Sequence, residues 1–212
     1  MLLGEASYEI GVGRLEFGSV AMPVSPEIDE GTVERAKEGD QQALAAIYDW
    51  YLPRVYRYVL ARVGETTEAE DLTEDIFLRM LGAIAEYKTR SVPFSAWLFR
   101  IARNHVVSFY RKNGLRKHGA LDDTMIDARP GPASVVEMHL TVGEVAKAAQ
   151  KLPEAQREVI ALRFAVGLSV AETAQVLGKR AGNVKTLQHK AVARLQQMLV
   201  TEPKRLGAEG SL

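Results

Sequence analysis

Residues 169–191 read SVAETAQVLGKRAGNVKTLQHKA. Ser169 and Glu172 have the spacing of a capping box, in which the hydroxyl accepts from the backbone N–H near Glu172 and the carboxylate reaches back to the chain. Ala171, Ala174 and Leu177 recur on one side of a short helix, and the small alanines let a neighbouring helix approach closely. Gly178 supplies the left-handed residue that stops a helix. A second helical pattern begins almost at once. Two short helices across a tight turn, the second one basic, fit a helix-turn-helix of DNA-binding type. No acidic residue occurs from Thr173 through Thr201, which suits a surface that must approach phosphates.

Plotted at about 100° per residue from Val184, Leu187, Ala191, Leu195 and Met198 fall within about 60° of it and form the inner side of the second helix. Lys185, Thr186, His189 and Lys190 lie opposite, with Asn183 also outward and Arg180 at the helix entry. These six residues are the candidate contacts to a major groove, where one good base contact contributes roughly 1–3 kcal/mol of discrimination. Gln188 sits about 40° from Val184, inside the apolar sector. A buried amide needs partners, so Gln188 is expected to bond within its own domain, to the 159–177 segment.

The surrounding chain is helical in pattern. It has 212 residues, 47% hydrophobic and 25% charged, enough for one large or two small globular domains. From Thr32 to Lys112 apolar residues recur at intervals of three and four, as in Ala43, Leu44, Ile47, Tyr48 and Tyr51, or Leu72, Ile76, Phe77 and Met80. Pro53 is expected to kink or restart the helix it falls in, and Gly64 to end it. Asn113 to Pro132 has linker chemistry, with Gly and Pro and no sustained period. Asp122, Asp123 and Asp127 fall in this linker, where acidic residues are expected to be solvated. Helical periodicity resumes at Ala133 and runs to about Leu199, broken at Pro153, Gly167 and Gly178. The expected fold is all-α, with two small helical domains (32–112 and 134–199) joined by a flexible linker (113–133). Residues 1–31 are expected to form a flexible extension, in which Met22 is an alternative start. Residues 200–212 are expected to form a disordered tail.

Charge is segregated although the net charge is zero. Residues 65–86 carry Glu65, Glu68, Glu70, Asp71, Glu74, Asp75 and Glu86 against the single base Arg79, whereas 100–117 and 179–194 carry bases and no acid. Such a map points to different partners on different surfaces. Residues 93–112, PFSAWLFRIARNHVVSFYRK, place Leu98, Ile101, Ala102, His105 and Phe109 on one side of a helix. Arg100, Arg103, Asn104, Val107, Tyr110 and Arg111 take the other. Guanidinium groups neutralise phosphates, and planar side chains stack on exposed bases. His105, on the apolar side, is expected to be a hydrogen-bonded, partly buried histidine. The loop YKTRSVPF just upstream has room to hold an unstacked base.

Other classes are disfavoured. There is no cysteine, so disulfides and thiolate metal sites are excluded, and a reducing cytoplasm is the expected setting. No run of about 18 apolar residues is present to span a membrane, and the N-terminus lacks the basic and apolar regions of a signal peptide. Phosphate-binding Gly-rich loops, nucleophile elbows and zinc-protease motifs are missing, so neither an enzyme nor a cofactor or small-molecule substrate is expected. A stand-alone helix-turn-helix regulator is the alternative, but it leaves the acidic helix and the WLFRIARN segment without a role.

Three segments, in order, resemble the bacterial RNA polymerase sigma factors of the sigma-70 family, specifically the extracytoplasmic-function (ECF) type. AEDLTEDIFLRMLGAIAEYK is similar to the family's polymerase-binding helix, and FSAWLFRIARNHVVSFYRK to its promoter-melting and minus-ten segment. LPEAQREVIALRFAVGLSVAETAQVLGKRAGNVKTLQHKAVARL is similar to its minus-thirty-five domain. The resemblance implies that 32–112 is sigma region 2 and 134–199 sigma region 4. It implies that Asp71, Glu74, Asp75 and Leu78 dock on core RNA polymerase, while Leu72, Ile76 and Met80 hold that helix to its own domain. It assigns minus-ten DNA to Arg90, Trp97, Arg100, Arg103, Asn104, Tyr110 and Arg111, and a flipped base to the loop from Thr89 to Ser95. Promoter DNA, core polymerase and an anti-sigma factor are the implied partners. The family often carries Ser or Thr at the recognition-helix cap, where Arg180 and Ala181 stand here. Its common Lys-Ser-Arg-Leu-His-Arg-Ala run is KTLQHKA in this chain, with Leu187 in place of an Arg and Gln188 in place of a core Leu.

Overall fold

The computed structural model describes residues 28–88, 92–114 and 142–201. The expected N-terminal extension up to residue 27, Arg90, the linker aspartates and the tail beyond Thr201 lie outside the described residues. Helix α1 (Glu30–Lys37) starts at Asp29, whose side chain accepts from the Thr32 amide. Helix α2 (Gln41–Val63) starts at Asp40, whose carboxylate accepts from Gln42 and Ala43. It stops at Gly64, with φ of 81° and its N–H on the Leu60 carbonyl. Of the two outcomes expected at Pro53, the restart does not occur: α2 runs through it as one helix. Proline there removes one backbone bond, to the carbonyl of Asp49. Ile47, Tyr51, Val55 and Val59 are buried on both sides of it, and that packing holds the helix together.

Helix α3 (Thr66–Ala83) buries Leu72, Ile76 and Met80 and runs into a tight turn at Ile84–Glu86. Helix α4 (Phe94–Lys112) begins just after Pro93 and buries Leu98, Phe99, Ala102 and Val106. Rings knit α2 to α4: Tyr58 meets Phe99 edge-on at 5.8 Å, and Tyr51 lies 5.5 Å from Phe94. These helices form the first unit.

The second unit contains α5 (Val142–Gln150), α6 (Glu154–Ile160), α7 (Val170–Leu177) and α8 (Ala181–Thr201). Pro153 opens α6. Its continuation, Ala161–Val166, widens into a π-type turn that closes at Gly167, with φ of 90°. The capping box is present, with the Glu172 amide on Ser169 Oγ at 3.1 Å and the Ser169 amide on Glu172 Oε2 at 2.8 Å. Gly178 closes α7 at φ of 61°. Ala148, Leu152, Ala191, Leu195 and Leu199 form one small apolar cluster, and Val159, Ala174 and Val184 another. Among the described residues no helix is long and apolar enough to cross a membrane.

The two units are packed on each other. Ala161, Leu162, Val166, Leu168 and Val176 of the second unit belong to the same buried cluster as Val55, Tyr58, Ala96 and Phe99 of the first. Replacing Ser169 by alanine removes the α7 cap and is expected to cost roughly 1 kcal/mol, measurable as a lower urea midpoint with an unchanged m-value.

Candidate nucleic-acid and polymerase interfaces

Helix α8 has the predicted division of faces. Val184 and Ala191 are fully buried and Leu195 nearly so. Arg180, Asn183, Lys185, Thr186, His189 and Lys190 are all exposed. The Thr186 hydroxyl donates back to the Gly182 carbonyl, 3.1 Å away, so its methyl and its acceptor lone pairs, but no donor, remain for a partner. Gln188 is half-buried, and its Oε1 accepts from Arg163 Nε at 3.0 Å. Arg163 lies in the π-type turn, inside the predicted 159–177 segment, and also donates to the Leu168 carbonyl at the entry to α7. One guanidinium thus joins the π-type turn, the α7 entry and α8. Gln188→Leu leaves the half-buried Nε donor of Arg163 without its acceptor. The expected cost is about 1–3 kcal/mol, read by denaturant unfolding, with the outward face of α8 unaltered.

On α3, Asp71, Glu74, Asp75 and Leu78 are exposed, Leu78 at 67%. Glu74 and Glu70 border a shallow groove with Tyr48, Leu52, Pro53 and Tyr56 of α2. Tyr48 and Leu81 are also exposed, so Leu78 is one of three large apolar side chains open to solvent among these helices' described residues. Asp75 also accepts from His105 Nε2 at 3.1 Å, so the predicted hydrogen-bonded histidine ties α4 to α3. Burial lowers the His105 pKa from its ordinary value, helped by Arg79 and opposed by Asp75. The ring is therefore neutral at physiological pH.

The predicted minus-ten residues divide three ways. Asn104 and Arg111 are exposed on α4. Trp97 is half-buried, its ring 5.0 Å from Tyr87 and 5.3 Å from Phe94. Tyr110 donates to the Arg62 carbonyl. Arg100 and Arg103 instead face the second unit. Arg100 Nη2 donates to the Gln175 carbonyl at 2.9 Å, and Arg103 Nε lies 4.0 Å from Glu158. Ser95 Oγ donates to Glu172, so the α7 capping box also reaches α4.

At the centre of this seam is a group the sequence reading missed. Arg62 of α2 is 0% exposed and pairs with Glu154 and, at 3.2 Å, with Glu158. The Tyr58 hydroxyl donates to Glu158 Oε1 at 2.6 Å. Arg157 bonds Glu154 at 2.7 Å and the side chain of Gln150 at 3.1 Å, and Gln150 in turn donates to the Ala61 carbonyl at 2.7 Å. Burial opposes the Arg62 charge, but Glu158, Tyr58 and Glu154 outweigh it and hold the guanidinium protonated. Burial, reinforced by Glu158, pushes the Tyr58 phenol well above its ordinary range. The signal was available in the sequence. Val55, Tyr58, Val59 and Arg62 follow a single apolar stripe of α2, and a charge on such a stripe requires a partner.

Burial alone would raise the Glu154 carboxyl, but Arg62 and Arg157 outweigh it and hold it below the ordinary 4.5. A depressed carboxylate stabilises the fold above its unfolded pKa and loses that contribution as pH falls through the lower folded one. The urea midpoint is therefore expected to drop as pH falls below about 4.5, and Glu154→Gln to flatten that acid limb.

Fold and faces together define a two-unit helical protein with a capped helix-turn-helix, basic on the outer side of its second helix, and a separate acidic helix. Residues 47–116 match the model of Sigma-70 region 2, and residues 143–195 that of Sigma-70, region 4. The chain is 32% identical over 189 residues to the ECF RNA polymerase sigma factor SigD of Mycobacterium tuberculosis, covering 86% of this chain and 89% of SigD. It is 41% identical over 170 residues to the ECF RNA polymerase sigma factor BldN of Streptomyces coelicolor, covering 79% of this chain but only 64% of BldN. The sigma factor RpoE of Bartonella quintana, solved in complex with the anti-sigma factor NepR, shares the fold at a TM-score of 0.57 and 24% identity. That alignment covers 78% of this chain and 99% of RpoE. The chain belongs to the ECF sigma factors of the sigma-70 family.

Proposed function

We propose that this chain binds core RNA polymerase, directs it to specific promoters and helps to separate the DNA strands for initiation. The observation that carries the reading is the division of one chain into three outward faces of different chemistry. Acidic α3 with its exposed Leu78 suits a basic and apolar docking site on polymerase. Basic α4, with Asn104 and Arg111 outward and Arg100 and Arg103 at the seam with the second unit, suits a single strand at the minus-ten element. Outward α8 suits the duplex major groove at the minus-thirty-five element.

Strand separation in this reading needs no chemistry on the protein. Extruding a base costs a few kcal/mol, which stacking, phosphate contacts and docking on polymerase offset together. The protein acts as a binding factor in the cytoplasm, where polymerase and promoters are, and not as an enzyme. Control by an anti-sigma factor is the regulation we propose, supported by the RpoE likeness. A stand-alone helix-turn-helix regulator would use α8 alone and leave the α3 face idle.

The test is run-off transcription on genomic fragments with core polymerase, with and without the purified chain. Promoter-specific transcripts that appear only with both support the reading, and stable promoter binding by the chain alone favours the stand-alone regulator. Lys185→Ala with His189→Ala is expected to reduce initiation roughly 10- to 100-fold, corresponding to about 1–3 kcal/mol at base contacts. Leu78→Asp is expected to weaken capture of core polymerase by about tenfold or more, as one leucine leaves an apolar interface.

A further inference from the structure

Helix α3 has two exposed flanks of opposite character. At about 100° per residue from Asp71, Glu74 and Leu81 fall about 60° and 80° to one side, whereas Asp75 and Arg79 fall about 40° and 80° to the other. The first flank meets α2 along the groove bordered by Glu70 and Glu74. The second borders a separate groove against α4, floored by Leu72, Ile101 and Phe109 and rimmed by Arg79, Arg111 and Lys112. Arg79 is the single base in residues 65–86, yet it stands on the α4 side, away from the acids at 70 and 74. We propose that this α3–α4 groove holds the phosphate backbone of the unpaired promoter strand, with Arg79, Arg111 and Lys112 as the phosphate contacts. This rests on the assignment of α4 to single-stranded minus-ten DNA, and it extends that contact onto α3, whose other flank is the one proposed for polymerase.

The positive charge in the groove is uncompensated. Among the described residues none of Arg79, Arg111 and Lys112 is paired with a carboxylate. The one acid that lines the groove, Asp75, is already engaged by His105 Nε2 at 3.1 Å. Burial first, then Arg79 and more weakly Lys112, disfavour a charge on His105, so both cations border the same ring. Three cations against one engaged acid give a positive field that concentrates anions. Three features favour a nucleic-acid strand over an acidic peptide. Asn104 and Arg111 line the groove themselves, which makes it continuous with the proposed minus-ten face. Ser108 adds a hydroxyl of the kind that bonds phosphate oxygens. Half-buried Ile101 and Phe109 offer a floor on which a sugar or an unstacked base can rest, and a duplex, with its bases stacked inside, cannot use it.

Phosphate contacts can be counted by salt. Each one adds about 0.7 to the slope of log affinity against log salt for a single strand. The experiment uses holoenzyme assembled from core polymerase and the full chain, as wild type, Arg79→Ala, Lys112→Ala or Arg79→Lys. Fluorescein-labelled probes come from a promoter that the holoenzyme uses: the non-template minus-ten strand, the same strand scrambled, and the flanking upstream duplex. Anisotropy gives the affinities over a series of salt concentrations, and capture of core polymerase by each variant is measured separately.

Arg79→Ala and Lys112→Ala are each expected to weaken single-strand binding about three- to tenfold at low salt, and to reduce the slope by about 0.7. The promoter strand and the scrambled strand should lose by the same factor, because a phosphate contact carries no sequence. Arg79→Lys keeps the charge and should recover most of the slope, which a purely structural role for Arg79 would not predict. Unchanged affinity and slope in both alanine variants overturn the proposal. A loss confined to the duplex also overturns it, since the cations then serve paired DNA. So does a loss of polymerase capture at unchanged slope, which gives the groove to a protein partner. Should Arg79→Ala fail to fold by circular dichroism, Lys112→Ala decides alone. Failure of the wild-type holoenzyme to bind the minus-ten strand would count against the function proposed above, whereas wild-type binding with unaltered slopes in the variants counts against the groove alone.

Discussion

Arg62 is a cation with no exposed surface, placed where an α-helical stripe would ordinarily carry leucine or valine. A lone charge at such a site is far too costly to bury, so the second unit must supply carboxylates to it. Glu154 and Glu158 both reach it from α6. That requirement fixes the register of α6 on α2, and α6 carries the π-type turn, α7 and α8 with it. The position of the recognition helix relative to the first unit therefore follows from one guanidinium and its acids.

The same constraint explains why the seam is mixed. An entirely apolar interface of this extent would bind two small units as firmly as a core, whereas contacts between domains in one chain are ordinarily more polar and open more easily. Here the aliphatic residues at 161, 162, 166, 168 and 176 provide attraction, and the ion cluster provides register. Ser95 with Glu172, and Arg100 with the Gln175 carbonyl, sit at the α7 end of the seam. The α7 cap is therefore both a local helix-start device and a contact between units. Burial works against the Glu172 charge, but hydrogen bonds from Ser95 and Ser169 and the nearby Arg163 hold its carboxyl below its ordinary range.

Much of the architecture was legible because helix signals are local. The capping box at Ser169, the glycine stops at Gly64 and Gly178, and the buried triplet Leu72, Ile76 and Met80 all depend on residues a few positions apart. The helix does not restart at Pro53 because propensity gives way to packing on both sides of it, which no local pattern reports. The candidate site was legible by composition, as acid-rich α3, acid-free α8 and basic α4. It was not legible as an arrangement. Arg100 and Arg103 read as solvent-facing, and only the three-dimensional packing brings α7 and α6 against them. Arg62 and Glu158 are separated by nearly a hundred positions, so neither sequence neighbourhood reveals the other.

Gln188 shows how a departure from a family pattern can be absorbed without disturbing a reading surface. An amide in place of leucine at the inner edge of α8 would be costly if unpartnered. Arg163 accommodates it, donating through Nε to Gln188 and through a second nitrogen to the Leu168 carbonyl. The backbone around that arginine widens into the π-type turn over Ala161–Val166, a conformation often found where a helix is adapted to a local role. The inner face of α8 is thus fixed by a polar strut as well as by Val184, Ala191 and Leu195. Its outer side chains need not serve the fold. Asn183, Lys185, His189 and Lys190 stand exposed on a helix held from behind, so changes in what they read need not change how the domain packs.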